Sequence, residues 1–195
     1  TVVFDGDDVI GYNTDLIGAM VSLAEAADED PDSKWLDGKR VLILGAGGVA
    51  RAIGLGVSDR GGKLLIASRT YERSMGLATE IKCEAIQWED RHRTSPDVLI
   101  NCTPVGMHPE VNEIPFEASG MSRGMIVFDT IYNPEQTLLL KTARESGCKT
   151  VSGVEMFVKQ AELQFKLFTG EKAPSDLMRD TLRQTIGAAK HRSNK

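Results

Sequence analysis

The feature that most constrains this chain is a five-residue run, Arg40-Val41-Leu42-Ile43-Leu44, followed at once by Gly45-Ala46-Gly47-Gly48-Val49-Ala50. The run is short, β-branched and almost wholly apolar, the pattern of a strand covered on both faces. An apolar pattern at helical spacing continues from about Val49 to Arg60. Strand, glycine turn and helix therefore meet without a linker, and few folds place them so.

The rest of the chain repeats the alternation. Strands are expected at Lys63 to Ala67, Glu84 to Gln87, Asp97 to Cys102, Met125 to Asp129 and around Thr150-Val151. Between and after them lie helices over Tyr71 to Ile81, Glu135 to Ser146, Val154 to Phe168 and about Ser175 to Lys190. Such alternation implies right-handed crossovers and a mostly parallel sheet. The fold class is thus α/β, a Rossmann-type doubly wound sheet with helices on both faces. Ahead of it, Val2 to Tyr12 reads as a hairpin around Asp5-Gly6-Asp7-Asp8, and a helix follows Asn13-Thr14-Asp15. Asp28 to Asp37 reads as a solvated acidic connector, Trp88 to Pro96 as a charged, exposed link, and His191 to Lys195 as a frayed tail.

In the turn, each small residue has a physical task. Gly45 permits the tight bend, Gly47 lets the backbone approach a diphosphate, and Ala50 lets the helix pack close to the sheet. Amides of Gly48 and Val49 at the helix start can meet an anion. The plain alternative is a glycine-rich turn that binds nothing. The second strand ends in Ser68-Arg69-Thr70, with Arg73 a turn further on and no acid at the strand end. An NAD site ordinarily places a carboxylate there for the ribose hydroxyl; guanidinium groups suit the 2′-phosphate of NADP. The alternative is a solvated helix start.

Of 195 residues, 23 are Lys or Arg and 28 Asp or Glu, a net charge of −5. That balance argues against nucleic acid or an anionic membrane as partner. No apolar run approaches the roughly 18 residues of a membrane helix. Cys83, Cys102 and Cys148 share no metal or redox spacing, so no metal is expected and a reducing, cytoplasmic setting is. His92, His108 and His191 are given no role, and Met156 and Phe157 are expected in the core.

Several separated segments resemble the shikimate dehydrogenase family: Gly11-Tyr12-Asn13-Thr14-Asp15, Gly45 to Ala52, Ser68-Arg69-Thr70, Asn101 to Met107, Asp129 to Pro134 and Gly153 to Ala161. The resemblance implies NADPH-dependent reduction of 3-dehydroshikimate to shikimate. It implies a catalytic, substrate-binding Asp15, with Tyr132 and Gln160 also on the substrate. It places Asn101, Thr103, Thr130 and Gly153 beside the cofactor. From position alone Asp15 is equally a helix cap, Asn101 and Thr103 a turn, Tyr132 a packing residue and Gln160 an exposed helix position.

The family's catalytic lysine belongs to a substrate domain ahead of the Asn-Thr-Asp segment, and no lysine precedes Lys34 here. The resemblance thus divides the chain into the end of a substrate domain and linking helix (1–30), a Rossmann domain (31–152) and helices packing back on the substrate side (153–195). The N-terminal substrate domain is expected to be missing, a partner from the same polypeptide, leaving these residues inactive alone. Homodimerisation is left open. Two alternatives stay in play: an NAD-preferring quinate/shikimate dehydrogenase and a non-catalytic dinucleotide sensor.

Overall fold

A computed structural model describes the backbone of residues 1–192 and the side chains as far as Ile186. The expected tail from His191 onward lies outside the described side chains.

β1 (Val2–Asp5) and β2 (Asp8–Gly11) form an antiparallel hairpin separate from the main sheet. Then come α1 (Thr14–Ala27), β3 (Arg40–Leu44), α2 (Gly48–Asp59), β4 (Lys63–Ala67), α3 (Tyr71–Ile81) and β5 (Glu84–Ile86). The second half holds β6 (Val98–Asn101), β7 (Ile126–Asp129), α4 (Leu138–Glu145), β8 (Lys149–Ser152), α5 (Gly153–Thr169) and α6 (Ser175–Arg192). The six main strands are all parallel, in the order β5-β4-β3-β6-β7-β8. This is a Rossmann doubly wound sheet. The chain winds outward from β3 to β5, then returns to β6 on the other side. Its direction reverses between β3 and β6, and open α/β sheets bind ligands beyond the carboxyl ends of strands at such a point.

Alternation along the strands explains their unbroken apolar runs. Val41 and Ile43 join a core with α1, α2 and α3, including Leu23, Ile53 and Leu77. Leu42 and Leu44 point the other way, into a core with Phe116, Leu139 and Leu140. Both faces are covered, so neither needs polar residues.

Three local expectations are corrected. The connector after α1 is not wholly solvated: Trp35 and Leu36 are buried in the first core, while Asp28, in the left-handed region at φ 61°, closes α1. The link at 88–93 is a 3₁₀ turn rather than exposed coil. Arg91 stacks 4.1 Å over the Trp88 ring and donates to the Pro115 carbonyl at 2.8 Å, which leaves both side chains half-buried. α4 begins three residues later than periodicity suggests, because Thr137 caps it by accepting from the Leu140 amide. Glu135 instead pairs with Arg183.

Candidate functional site

The site starts at the bend after β3. Gly45 sits at φ 109°, and a Cβ there would lie 2.8 Å from the Cys102 carbonyl oxygen. No other residue fits that backbone and that neighbour. At Gly47 and Gly48 the opposite holds: a Cβ would meet nothing within 4 Å, so the space beside the backbone is open. Gly47 is the N-cap of α2 and has no side chain to satisfy the first-turn amides; that turn carries no acid either. Bare donors at a helix start facing open space are free to meet an anion. Ala50 is fully buried, which brings α2 onto the sheet, and Ala46 and Val49 pack against the same core.

At the end of β4 the buried Ser68 hydroxyl donates to the Thr70 carbonyl at 2.6 Å and accepts from Ser74 at 2.9 Å. Ser68 therefore shapes the turn. Arg69, Thr70 and Arg73 are exposed, and among the described residues no carboxylate pairs with either arginine. The first turn of α3 also carries Glu72, which favours the helix dipole, but neither arginine is paired with it, so both guanidinium groups are open to an anion.

Beyond β6 and β7 the geometry divides the expected residues. Asn101 is completely buried, so its side chain is not a wall against a ligand. Its oxygen accepts from the Thr103 amide at 3.0 Å and hydroxyl at 2.7 Å; its nitrogen donates to Val105 and to Asp129. Asn101 instead builds the turn through Thr103, whose own side chain is half-buried rather than enclosed. Thr130 hangs on the same residue, donating through both amide and hydroxyl to the Asn101 carbonyl at 3.0 and 2.9 Å.

Asp129 is fully buried as well. Its carboxylate accepts from Thr137 at 2.7 Å, Asn101 at 3.1 Å and the Ile131 amide at 3.2 Å. Burial outweighs those three bonds and pushes the carboxyl up to about 6.

The remaining candidates converge. A cavity of about 210 Å³ is lined by Asp15, Val49, Thr130, Tyr132, Gly153, Met156, Phe157 and Gln160. Val49 belongs to the glycine-turn helix, so the cavity borders the first turn of α2. Asp15 is not the cap of α1. Asn13 takes that task, accepting from the Leu16 amide at 3.0 Å, and Asp15 stays exposed with no hydrogen bond among the described residues. Gln160 is half-buried and its side-chain amide is equally uncommitted.

Gly153 has a second reason to be glycine: a Cβ would come within 2.4 Å of the Thr130 carbonyl oxygen. Phe157 corrects the expectation of a core residue. Its side chain is 40% exposed and its ring lies 5.5 Å from that of Tyr132, forming an aromatic wall. Positions 153, 156, 157 and 160 fall at i, i+3, i+4 and i+7, so one stripe of α5 makes this side of the cavity. That spacing, once Gln160 is placed, is the signal that would have found Phe157.

A larger cavity of about 640 Å³ lies between the turns after β6 and β7 and α6. It gathers none of these groups, and its guanidinium, Arg183, is already held by both oxygens of Glu135.

An α/β sheet that reverses direction beside a bare helix start, with a small pocket at the same edge, defines a Rossmann dinucleotide-binding module. A family model described as Shikimate 5′-dehydrogenase C-terminal domain matches residues 153–183. Another, NADP oxidoreductase coenzyme F420-dependent, matches residues 40–134. The shikimate dehydrogenase (NADP(+)) of Methanosarcina acetivorans is 38% identical over 198 residues, covering 96% of this chain and 69% of that protein. The chloroplastic bifunctional 3-dehydroquinate dehydratase/shikimate dehydrogenase of Arabidopsis thaliana is 41% identical over 179 residues, 87% of this chain and 30% of that protein. A crystal structure of a shikimate dehydrogenase in complex with NADP⁺ superposes with a TM-score of 0.84 at 32% identity, covering 95% of this chain and 66% of that one. Quinate dehydrogenase from Corynebacterium glutamicum in complex with NAD gives 0.81 at 31% identity, covering 94% and 66%. The chain belongs to the shikimate dehydrogenase family, a family of oxidoreductases. It spans about two thirds of the single-activity relatives and less of the bifunctional one.

Proposed function

We propose that these residues form the NADP-binding portion of an enzyme that reduces 3-dehydroshikimate to shikimate, an oxidoreductase acting in the cytoplasm. The observation that carries this reading is the convergence of Asp15, Tyr132 and Gln160 on one cavity that begins at the glycine-turn helix.

The residues present fit a dinucleotide. Amides at the start of α2 and the open space at Gly47 suit its diphosphate, and the unpaired Arg69 and Arg73 suit a 2′-phosphate. When bound, NADPH supplies the hydride. The protein does the rest through position and charge. Gly153 and Thr130 border the nicotinamide end, and Tyr132 with Phe157 shields it from water. Gln160 orients a substrate hydroxyl, and Asp15 holds or releases the proton at the substrate oxygen. The second proton-handling group is the family's lysine, carried by a substrate-binding segment of the whole polypeptide. Residues 1–30 and 153–195 border that segment and 31–152 hold the nucleotide. By themselves the 195 residues bind nucleotide without turnover.

In the whole enzyme, Asp15→Asn is expected to lower kcat for NADP⁺-dependent shikimate oxidation by about 10²- to 10⁴-fold, with NADP⁺ affinity unchanged. Full activity in that variant would sink the assignment. The similarity to an NAD-bound quinate dehydrogenase favours a second reading, an NAD-preferring enzyme acting on quinate. Comparing kcat/KM for both cofactors and both substrates decides between them. Nucleotide binding without turnover of either substrate by the whole enzyme would identify a sensor instead.

A further inference from the structure

Among the described residues Asp129 is the one buried carboxylate, and its bonds reach three separate stretches of chain. Oδ1 accepts from Asn101 Nδ2 in the turn after β6 and from the Ile131 amide in the segment after β7. Oδ2 accepts from the Thr137 hydroxyl at the start of α4. Asn101 extends the network to Thr103 and Val105, and its carbonyl takes both donors of Thr130. Thr130 and Tyr132 line the cavity; Asp129, Asn101 and Thr137 do not.

We propose that Asp129 is a positioning residue, whose ionised carboxylate holds the turn after β6 and the Thr130–Tyr132 wall in register for the nicotinamide end of the dinucleotide. The inference rests on the proposed reading of the pocket. Its logic is the match of charge state to partners. An ionised carboxylate only accepts, and all three partners here donate. Protonation of Oδ2 turns an acceptor into a donor: the Thr137 hydroxyl, which accepts from the Leu140 amide and keeps a second lone pair, must turn from donor to acceptor, and the charge that strengthens the other two bonds is lost. The ionisable neighbour just after β6 is the Cys102 thiol, itself raised by burial and by Asp129, and no Lys, Arg or His pairs with the carboxylate among the described residues. Burial pushes the carboxyl up to about 6, so its charged and neutral forms exchange, and with them the strength of this network, within an accessible pH range.

The test separates the two ends of the nucleotide. NADP⁺ and its fragment 2′,5′-ADP are titrated by calorimetry between pH 5 and 8, and the ratio of their Kd values is the readout. Both carry the 2′-phosphate, so its own titration cancels. In the wild type the ratio is expected to change about three- to tenfold in favour of NADP⁺ as pH rises through about 6. Asp129→Asn, nearly isosteric, fixes the ratio near the wild-type acid value at every pH and leaves 2′,5′-ADP binding within twofold. Thr137→Val removes one bond to the carboxylate and moves the midpoint to higher pH, while Thr137→Ser keeps it. A general loss of structure would weaken both ligands together. That outcome overturns the proposal, as does a ratio in Asp129→Asn that still follows the wild-type pH dependence. If neither ligand binds the wild type, the nucleotide reading itself fails instead.

Discussion

Asn13 and Asp15 stand two residues apart at the start of α1, and a single hydrogen bond separates their roles. Asn13 accepts from the Leu16 amide, so the helix is already capped and Asp15 keeps its carboxylate for the pocket. From sequence alone either could be the cap, since Asn and Asp are both strongly preferred there. Asp129 is a second case in which burial decides. Its folded-state value, about 6, exceeds the ordinary 3.8, so the folded protein holds a proton that the unfolded chain has released between those values. The associated stability is fully present below about 3.8 and is lost as pH rises through about 6. Above that, ionising a carboxylate in the interior costs about 3 kcal/mol, the equivalent of about two pH units. Asp129→Asn avoids this cost. Urea unfolding is expected to show the variant gaining on the wild type between pH 4 and 7, by up to about 3 kcal/mol. Parallel pH profiles would mean that the carboxyl does not titrate in this range.

At the scale of elements, glycines of two kinds meet at the site, and they make opposite predictions. Gly153 begins α5 in contact with backbone: an added Cβ would lie 2.4 to 2.5 Å from Thr130 and Ile131 atoms that cannot turn aside. Gly47 caps α2 in open space with an extended φ of −93°. Gly153→Ala is therefore expected to cost about 2–3 kcal/mol through overpacking and lower Tm by about 5–10 °C. Gly47→Ala is expected to cost about 1 kcal/mol or less while weakening NADP⁺ binding by tenfold or more. Thermal melts and calorimetry on both variants check this, and equal losses of Tm would refute it. The β3–α2 unit was legible because a continuous apolar run, a glycine turn and a helical period are all local signals. Trp35, Leu36 and the 3₁₀ turn at 88–93 were not, because their burial comes from partners distant in the chain, such as Pro115 for Arg91. Asp15, Thr130, Tyr132, Gly153 and Gln160 followed from motif and strand end, whereas Phe157 read as an ordinary apolar helix position. The network behind them did not, since Asn101 meets Asp129 across 28 positions of sequence.

Over the whole molecule, the order β5-β4-β3-β6-β7-β8 sets the glycine turn, the Arg69 turn and the Thr130 wall along one edge of one sheet. A dinucleotide lying along that edge would bridge turns on both sides of the reversal between β3 and β6, adding to the strand pairing, the shared core and the close approach of Gly45 to Cys102. Binding that spans the reversal stabilises the fold as a unit by mass action: a ligand at a hundredfold its Kd adds about 2.7 kcal/mol. For a chain of this size that corresponds to a rise in Tm of about 5–10 °C. NADP⁺ is expected to produce this rise in the 195-residue chain, and NAD⁺ at the same concentration a clearly smaller one. Arg69→Ala is expected to reduce the difference between the two nucleotides, and Arg69→Ala with Arg73→Ala to remove it, while both keep the shared shift, because the guanidinium groups serve the 2′-phosphate and the α2 amides serve the diphosphate common to both. An equal rise with NAD⁺ and NADP⁺ in the wild type would reject the role given to Arg69. A flat melt with either would reject the anion site at α2 itself.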